Sequence, residues 1–134
     1  MNAITRLNPE TMPRPNGYSQ VVECATPGRH IFISGQLGLT REGKLAGDPG
    51  DFRAQAAQAF ENLKAALAAA DASFAHVVKL TNYLVDAAHL PLLREVRNAY
   101  LDAAALPAST TVQVAALARP GALFEVEAIA VLAG

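Results

Sequence analysis

Hydrophobic and polar positions change period along the chain, and the changes mark the elements. Phe52, Ala56, Ala59, Phe60, Leu63, Leu67 and Ala70 fall on one stripe at helical spacing, while Arg53, Gln55, Gln58, Glu61 and Lys64 fall away from it. The pattern predicts an amphipathic helix of about five turns, with Asp51 as its N-cap. From Val77 to Val85 the period drops to two: Val77, Lys79, Thr81, Tyr83 and Val85 alternate with Val78, Leu80, Asn82 and Leu84, as in a strand. A second helix is expected from about His89 to Ala103. Pro91 suits its first turn, and Leu93, Val96 and Tyr100 line up opposite Arg94, Glu95, Asn98 and Asp102.

Shorter apolar runs fill out the order. Ala3–Leu7 reads as a first strand, and the proline-bearing stretch Thr11–Gly17 reads as a loop. Ser19–Ala25 and His30–Gln36, joined by Thr26-Pro27-Gly28-Arg29, read as a hairpin. Gly38–Gly50 is a glycine-rich loop with room for a further short hairpin. Two final strands, Ser109–Leu117 and Leu123–Leu132, are separated by the turn Arg119-Pro120-Gly121. The order β-β-β-α-β-α-β-β predicts a single α+β domain over residues 1–134, a mixed sheet with both helices packed on one face. In the last strand Phe124, Val126, Ala128, Ala130 and Leu132 form one side, and Glu125, Glu127, Ile129 and Val131 the other. Both sides are largely apolar, so the two carboxylates either sit at a solvated sheet end or meet a cleft or a neighbouring chain.

Composition sharpens this reading. With 51% hydrophobic and 17% charged residues in 134, the chain is apolar for its length, and the surplus is expected at a subunit interface. A net charge of -1 and the absence of any basic run argue against nucleic acid as a partner. The single cysteine, Cys24, suits a reducing compartment and reads as a small buried hydrophobe in a strand. The first residues lack the apolar core of a signal peptide, and no run has the length of a membrane span, so the expected location is the cytoplasm, with no membrane partner.

Familiar local chemistry is missing. His30, His76 and His89 show no metal-ligand spacing, and no metal is expected. Gly35-Gln36-Leu37-Gly38 follows a strand but leads into a loop, so it is not a dinucleotide fingerprint. Ser34 lies in no nucleophile elbow.

What remains is a distributed set: Gly17-Tyr18, Ile33-Ser34-Gly35-Gln36, Glu61-Asn62-Leu63-Lys64, Val78-Lys79-Leu80-Thr81, Pro107-Ala108-Ser109-Thr110 and Glu127-Ala128-Ile129-Ala130-Val131. In this order and spacing the chain resembles the RidA family, also called YjgF, over nearly its whole length. The resemblance implies a chorismate-mutase-like fold and a homotrimer packed sheet to sheet. It also implies a small-molecule cleft at each subunit interface and, in one branch, cofactor-free hydrolysis of 2-imino or enamine acids. On this reading Glu125 handles water, while Tyr18, Ser34, Gly35, Ser109 and Thr111 contact substrate.

One departure stands out. Family members place an arginine directly after the Pro-Ala of the penultimate strand, and here that position is Ser109. A hydroxyl cannot make the bidentate clamp a guanidinium makes on a carboxylate. Losing such a pair costs roughly 2–5 kcal/mol, or about 30- to several-thousand-fold in rate. Weak or absent activity on standard imino acids is therefore expected. Arg97, where relatives often carry asparagine, offers a compensation by sending a guanidinium into the same space. The competing reading has it solvated, or paired with Glu95, Asn98 or Asp102. Three functions follow: a hydrolase of the deaminase type with an altered substrate, a non-catalytic ligand-binding or regulatory trimer, and a ribonuclease or translation inhibitor. The missing basic patch disfavours the last.

Overall fold

The computed structural model describes residues 4–25 and 28–133, with side chains through Leu132. Ala3 of the expected first strand and Thr26-Pro27 of the expected turn lie outside them. The strands are β1 (Ile4–Leu7), β2 (Val21–Cys24), β3 (Gly28–Leu37), β4 (Val77–Leu84), β5 (Ala108–Gln113) and β6 (Phe124–Ala133). The helices are α1 (Phe52–Ala69) and α2 (Leu90–Asn98).

Helix α1 begins where its cap sets it: the Asp51 carboxylate accepts the Ala54 amide at 3.0 Å, a contact worth about 1 kcal/mol. The predicted stripe from Phe52 to Leu67 is buried in the core. Gln55 departs from expectation. It is 1% exposed because its amide clamps the loop before β6, donating to the Gly121 carbonyl at 3.1 Å and accepting from the Leu123 amide at 2.8 Å. A buried polar side chain persists when both its ends are satisfied. Helix α2 stops at Asn98 rather than Ala103, its last turn tightened by the Tyr100 amide on the Arg97 carbonyl at 2.9 Å. Both helices pack on one face of a four-stranded mixed sheet, as the α+β order predicts. No helix among the described residues is long and apolar enough to cross a membrane.

The sheet order is β3-β6-β4-β5, with β6 antiparallel to both neighbours and β4 parallel to β5. The expected hairpin between the second and third strands does not form. Instead β2 pairs with β1 in a separate two-stranded ribbon, and β3 pairs with β6. A turn signal brings strands near one another, but burial decides pairing: Ile31 and Ile33 of β3 join the core, whereas β2 is mostly exposed. Cys24, on that outer ribbon, is exposed rather than buried.

Register then fixes which side chains share a face. Phe124, Val126, Ala128 and Ala130 turn to the helices and are at most 3% exposed. Leu80 and Asn82 of β4, opposite Ala128 and Val126, share that side and carry Ser109 and Thr111 of β5 with them. Glu125 and Glu127 face the other way, opposite Tyr83 and Thr81, together with Ile129 and its partner Phe32. Phe32 is 73% exposed there.

Candidate functional site

One group of candidate residues lies at the outer edge of the sheet, on the helix side. Ser19 forms a parallel bridge to Ala108, its amide donating to the Pro107 carbonyl at 2.8 Å and its hydroxyl to the Leu106 carbonyl at 2.6 Å. This tie sets Tyr18 beside the start of β5. A cavity of about 250 Å³ opens there, lined by Asn16, Tyr18, Leu90, Arg94, Arg97, Ser109 and Thr111. It unites four of the predicted residues, Tyr18, Arg97, Ser109 and Thr111. A larger hollow of about 620 Å³ on the other side of Tyr18 is walled by the N-terminal loop and contains none of the other three.

Arg97 is neither solvated nor paired with Glu95. It is 6% exposed, its guanidinium lies against Gly17, and Glu95 is held instead by Arg53 at 2.5 Å. The burial follows from position: Arg97 comes four residues after Leu93 and one after Val96, on the buried stripe of α2. Burial first, and the charge of Arg94 second, lower its pKa. Its Nε is buried without a hydrogen-bond partner. A guanidinium so placed still carries its charge at neutral pH, and an anion is its natural complement.

Asn82 supports the opposite wall, although the sequence reading did not single it out. It is fully buried, and its Nδ2 lies 3.2 Å from Ser109 Oγ, 3.3 Å from Thr111 Oγ1 and 3.4 Å from the Thr110 carbonyl. The carbonyl can only accept, which fixes the amide's orientation. The two hydrogens on Nδ2 are shared among these three oxygens, and neither hydroxyl spends its own proton on Asn82. The signal was present in the sequence: Asn82 is the polar member of the apolar side of β4, flanked by Leu80 and Leu84. Asn16, Leu90 and Arg94 also line the cavity; only their place in the fold reveals them.

The other candidate residues lie on the far face of the sheet. The pairing of β3 with β6 slips between Ile33 and Gln36, a bulge that places Ser34 and Gly35 exposed at the strand's bend. Glu125 packs over Gly35, so closely that a β-carbon there would meet its carboxylate. The Glu125 side chain is half-buried. Beside it the Tyr83 hydroxyl donates to Glu127. That bond, then burial, then the charges of Glu127 and Glu125 raise the Tyr83 pKa. Within one chain Ser109 and Glu125 thus occupy opposite faces of the same sheet, and Ser34-Gly35 sides with Glu125. Among the described residues no three of His, Cys, Asp or Glu gather as a metal site.

Comparison with known proteins bears on the whole domain. The family profile described as endoribonuclease L-PSP matches residues 10–132. Protein DfrA of Myxococcus xanthus is 40% identical over 126 residues, 93% of each chain. The 2-iminobutanoate/2-iminopropanoate deaminase of Mus musculus is 38% identical over 132 residues, 98% of this chain and 95% of that one. Among solved structures, the Rid-family protein YyfB of Yersinia pestis superposes with a TM-score of 0.88 at 37% identity, covering 98% of this chain and 100% of that one. RidA from an Antarctic Psychrobacter superposes with a TM-score of 0.72 at 38% identity, covering 96% and 99%. Matches that run nearly end to end in both partners, in sequence and in fold, place this chain in the RidA (YjgF) family.

Proposed function

We propose that the protein is a hydrolase of small 2-imino or enamine acids whose substrate range departs from that of its arginine-bearing relatives. The observation that carries this reading is the cavity joining Tyr18, Arg97, Ser109 and Thr111. It offers an anion-binding guanidinium and hydroxyl donors where a substrate carboxylate has to be held. In the reaction water adds to the carbon of the C=NH2+ group, the C–N bond of the resulting carbinolamine breaks, and a 2-oxo acid and an ammonium ion leave. Glu125 would orient or deprotonate the water.

Because Glu125 and Ser109 face opposite ways, a complete site requires two copies of the chain. The Arg97–Ser109 half of one would meet the Glu125–Gly35 half of the next. The exposed Phe32, on the same face as Glu125, supports a sheet-to-sheet contact of the kind a homotrimer provides. The same separation favours the second reading, a non-catalytic ligand-binding or regulatory trimer, if the halves never meet. A ribonuclease is disfavoured by the net charge of -1 and the lack of a basic run.

The test combines light scattering with ammonia release from a panel of 2-imino acids generated in place by an amino-acid oxidase. Acceleration is expected for at least one panel member by a trimeric species. Turnover of 2-iminopropionate should be at least about 30-fold below that of an arginine-bearing relative. A monomer, or no acceleration across the panel, would leave only the binding reading. Parity with the relative on 2-iminopropionate would refute the altered substrate range, and Ser109→Arg should raise that activity.

A further inference from the structure

We propose that the cavity selects acids bearing two anionic groups, with Arg97 gripping one and Arg94 the other. The inference deepens the anion-site reading above and rests on it. Arg94 and Arg97 are three residues apart on α2 and both line the same cavity. Arg97 is 6% exposed and forms its floor; Arg94 is exposed at its rim. The other polar lining groups are the hydroxyls of Tyr18, Ser109 and Thr111 and the amide of Asn16. Within one chain no carboxylate lines it, the Glu125 that the next copy would bring being committed to the reacting water, and among the described residues the one ion pair, Arg53–Glu95, is made by neither of these arginines.

Two guanidiniums held this close repel, and the buried one has also lost hydration. Burial and, after it, the charge of Arg94 act against the Arg97 cation. A single carboxylate answers one of these charges and leaves the other unmatched, whereas a diacid answers both. Ser109 and Thr111, whose oxygens accept from Asn82, add donors and no negative charge. At about 250 Å³ the space suits an acid of only a few carbons. In the hydrolase reading the substrates would be 2-imino diacids and the products 2-oxo diacids.

Stable products serve as probes. Isothermal titration of the assembled protein should show 2-oxoglutarate binding at least tenfold more tightly than 2-oxopentanoate, which has the same carbon count and lacks the second carboxylate. Arg94→Ala, a change at an exposed position, should bring the two to parity. Arg97→Gln should weaken both tenfold or more, and Arg97→Lys should recover part of that loss, which controls for misfolding. Equal affinity in the wild type, or a diacid preference that survives Arg94→Ala, would overturn the proposal. Failure of the two readings is separable. A diacid preference without ammonia release from any 2-imino acid removes the hydrolase and keeps this inference. Turnover of 2-iminopropionate by a protein with no diacid preference does the reverse.

Discussion

The guanidinium of Arg97 rests on Gly17, so closely that a β-carbon on Gly17 would lie 2.1 Å from Nη2 and 2.8 Å from Cζ. Gly17 also holds φ at +78°, a region that costs an L side chain about 1–2 kcal/mol. The glycine serves both the turn of the chain ahead of Tyr18 and the close seating of a buried charge.

Gly17→Ala should therefore combine backbone strain with displacement of Arg97. Urea denaturation is expected to show a loss of roughly 2–3 kcal/mol, accompanied by at least tenfold weaker binding of 2-oxo acids. The two contributions can be separated by a double-mutant cycle. In an Arg97→Ala background the same change should cost only the backbone share, about 1–2 kcal/mol. Strict additivity would mean that the two residues do not press on one another.

Asn82 is expected to matter for both stability and binding. Its amide supports Ser109, Thr111 and the Thr110 carbonyl from beneath, and a lost buried hydrogen-bond partner costs about 1–3 kcal/mol. Asn82→Ala should lower the urea midpoint accordingly and weaken carboxylate binding. Asn82→Asp should weaken that binding further, because it sets a negative charge under hydroxyls meant to donate to an anion. Tighter carboxylate binding by Asn82→Asp would contradict the assigned polarity of the wall.

The sequence carried α1 and the last strand well, because each is written in residues close together: the Asp51 cap, the Phe52-to-Leu67 stripe, the alternation from Phe124. It carried pairing poorly. The turn before β3 resembles a hairpin, yet β3 lies beside β6, about a hundred residues away, since strand choice depends on which surfaces need covering. The same distance hid the geometry of the site. Ser109 and Glu125 each sit on strands whose parity relative to one another is set only by their registers against β4. Arg97 is the instructive intermediate: its spacing from Leu93 placed it on the buried stripe, but its charge pulled the reading towards solvent.

Tyr100 gives the fold a pH dependence at the alkaline end. Its hydroxyl donates to Glu61 Oε2 at 2.7 Å. Burial, followed by that bond and the Glu61 charge, pushes its pKa from an ordinary value of 10.0 up to about 12. Below the lower value folded and unfolded chains both keep the proton. Between the two the unfolded chain releases it while the folded chain retains it, so stability falls as pH rises through that window. Urea midpoints measured from pH 9.5 to 12, for the wild type and Tyr100→Phe, should show a shallower decline in the variant, which has no phenol to titrate. Parallel declines would assign the alkaline loss to other groups.

Gly35→Ala probes the other half of the site with little expected effect on the fold. Gly35 is exposed at the β3 bulge, but a β-carbon there would lie 1.9 Å from Glu125 Oε2 and 2.7 Å from its Cδ. The carboxylate is the far end of a flexible side chain and can swing aside, so stability should change by only about 0.5 kcal/mol. In the hydrolase reading its aim at the reacting water would be lost. In the hydrolase reading kcat for a turned-over 2-imino acid should drop about tenfold or more, against roughly 10²–10⁴-fold for Glu125→Gln, the range for removing a general base. Affinity for 2-oxo acids, set by the Arg97 half, should barely move in Gly35→Ala. The split between kcat and binding is the diagnostic. Unaltered turnover in both variants would remove Glu125 from the chemistry and leave the Arg97 cavity as a binding site alone.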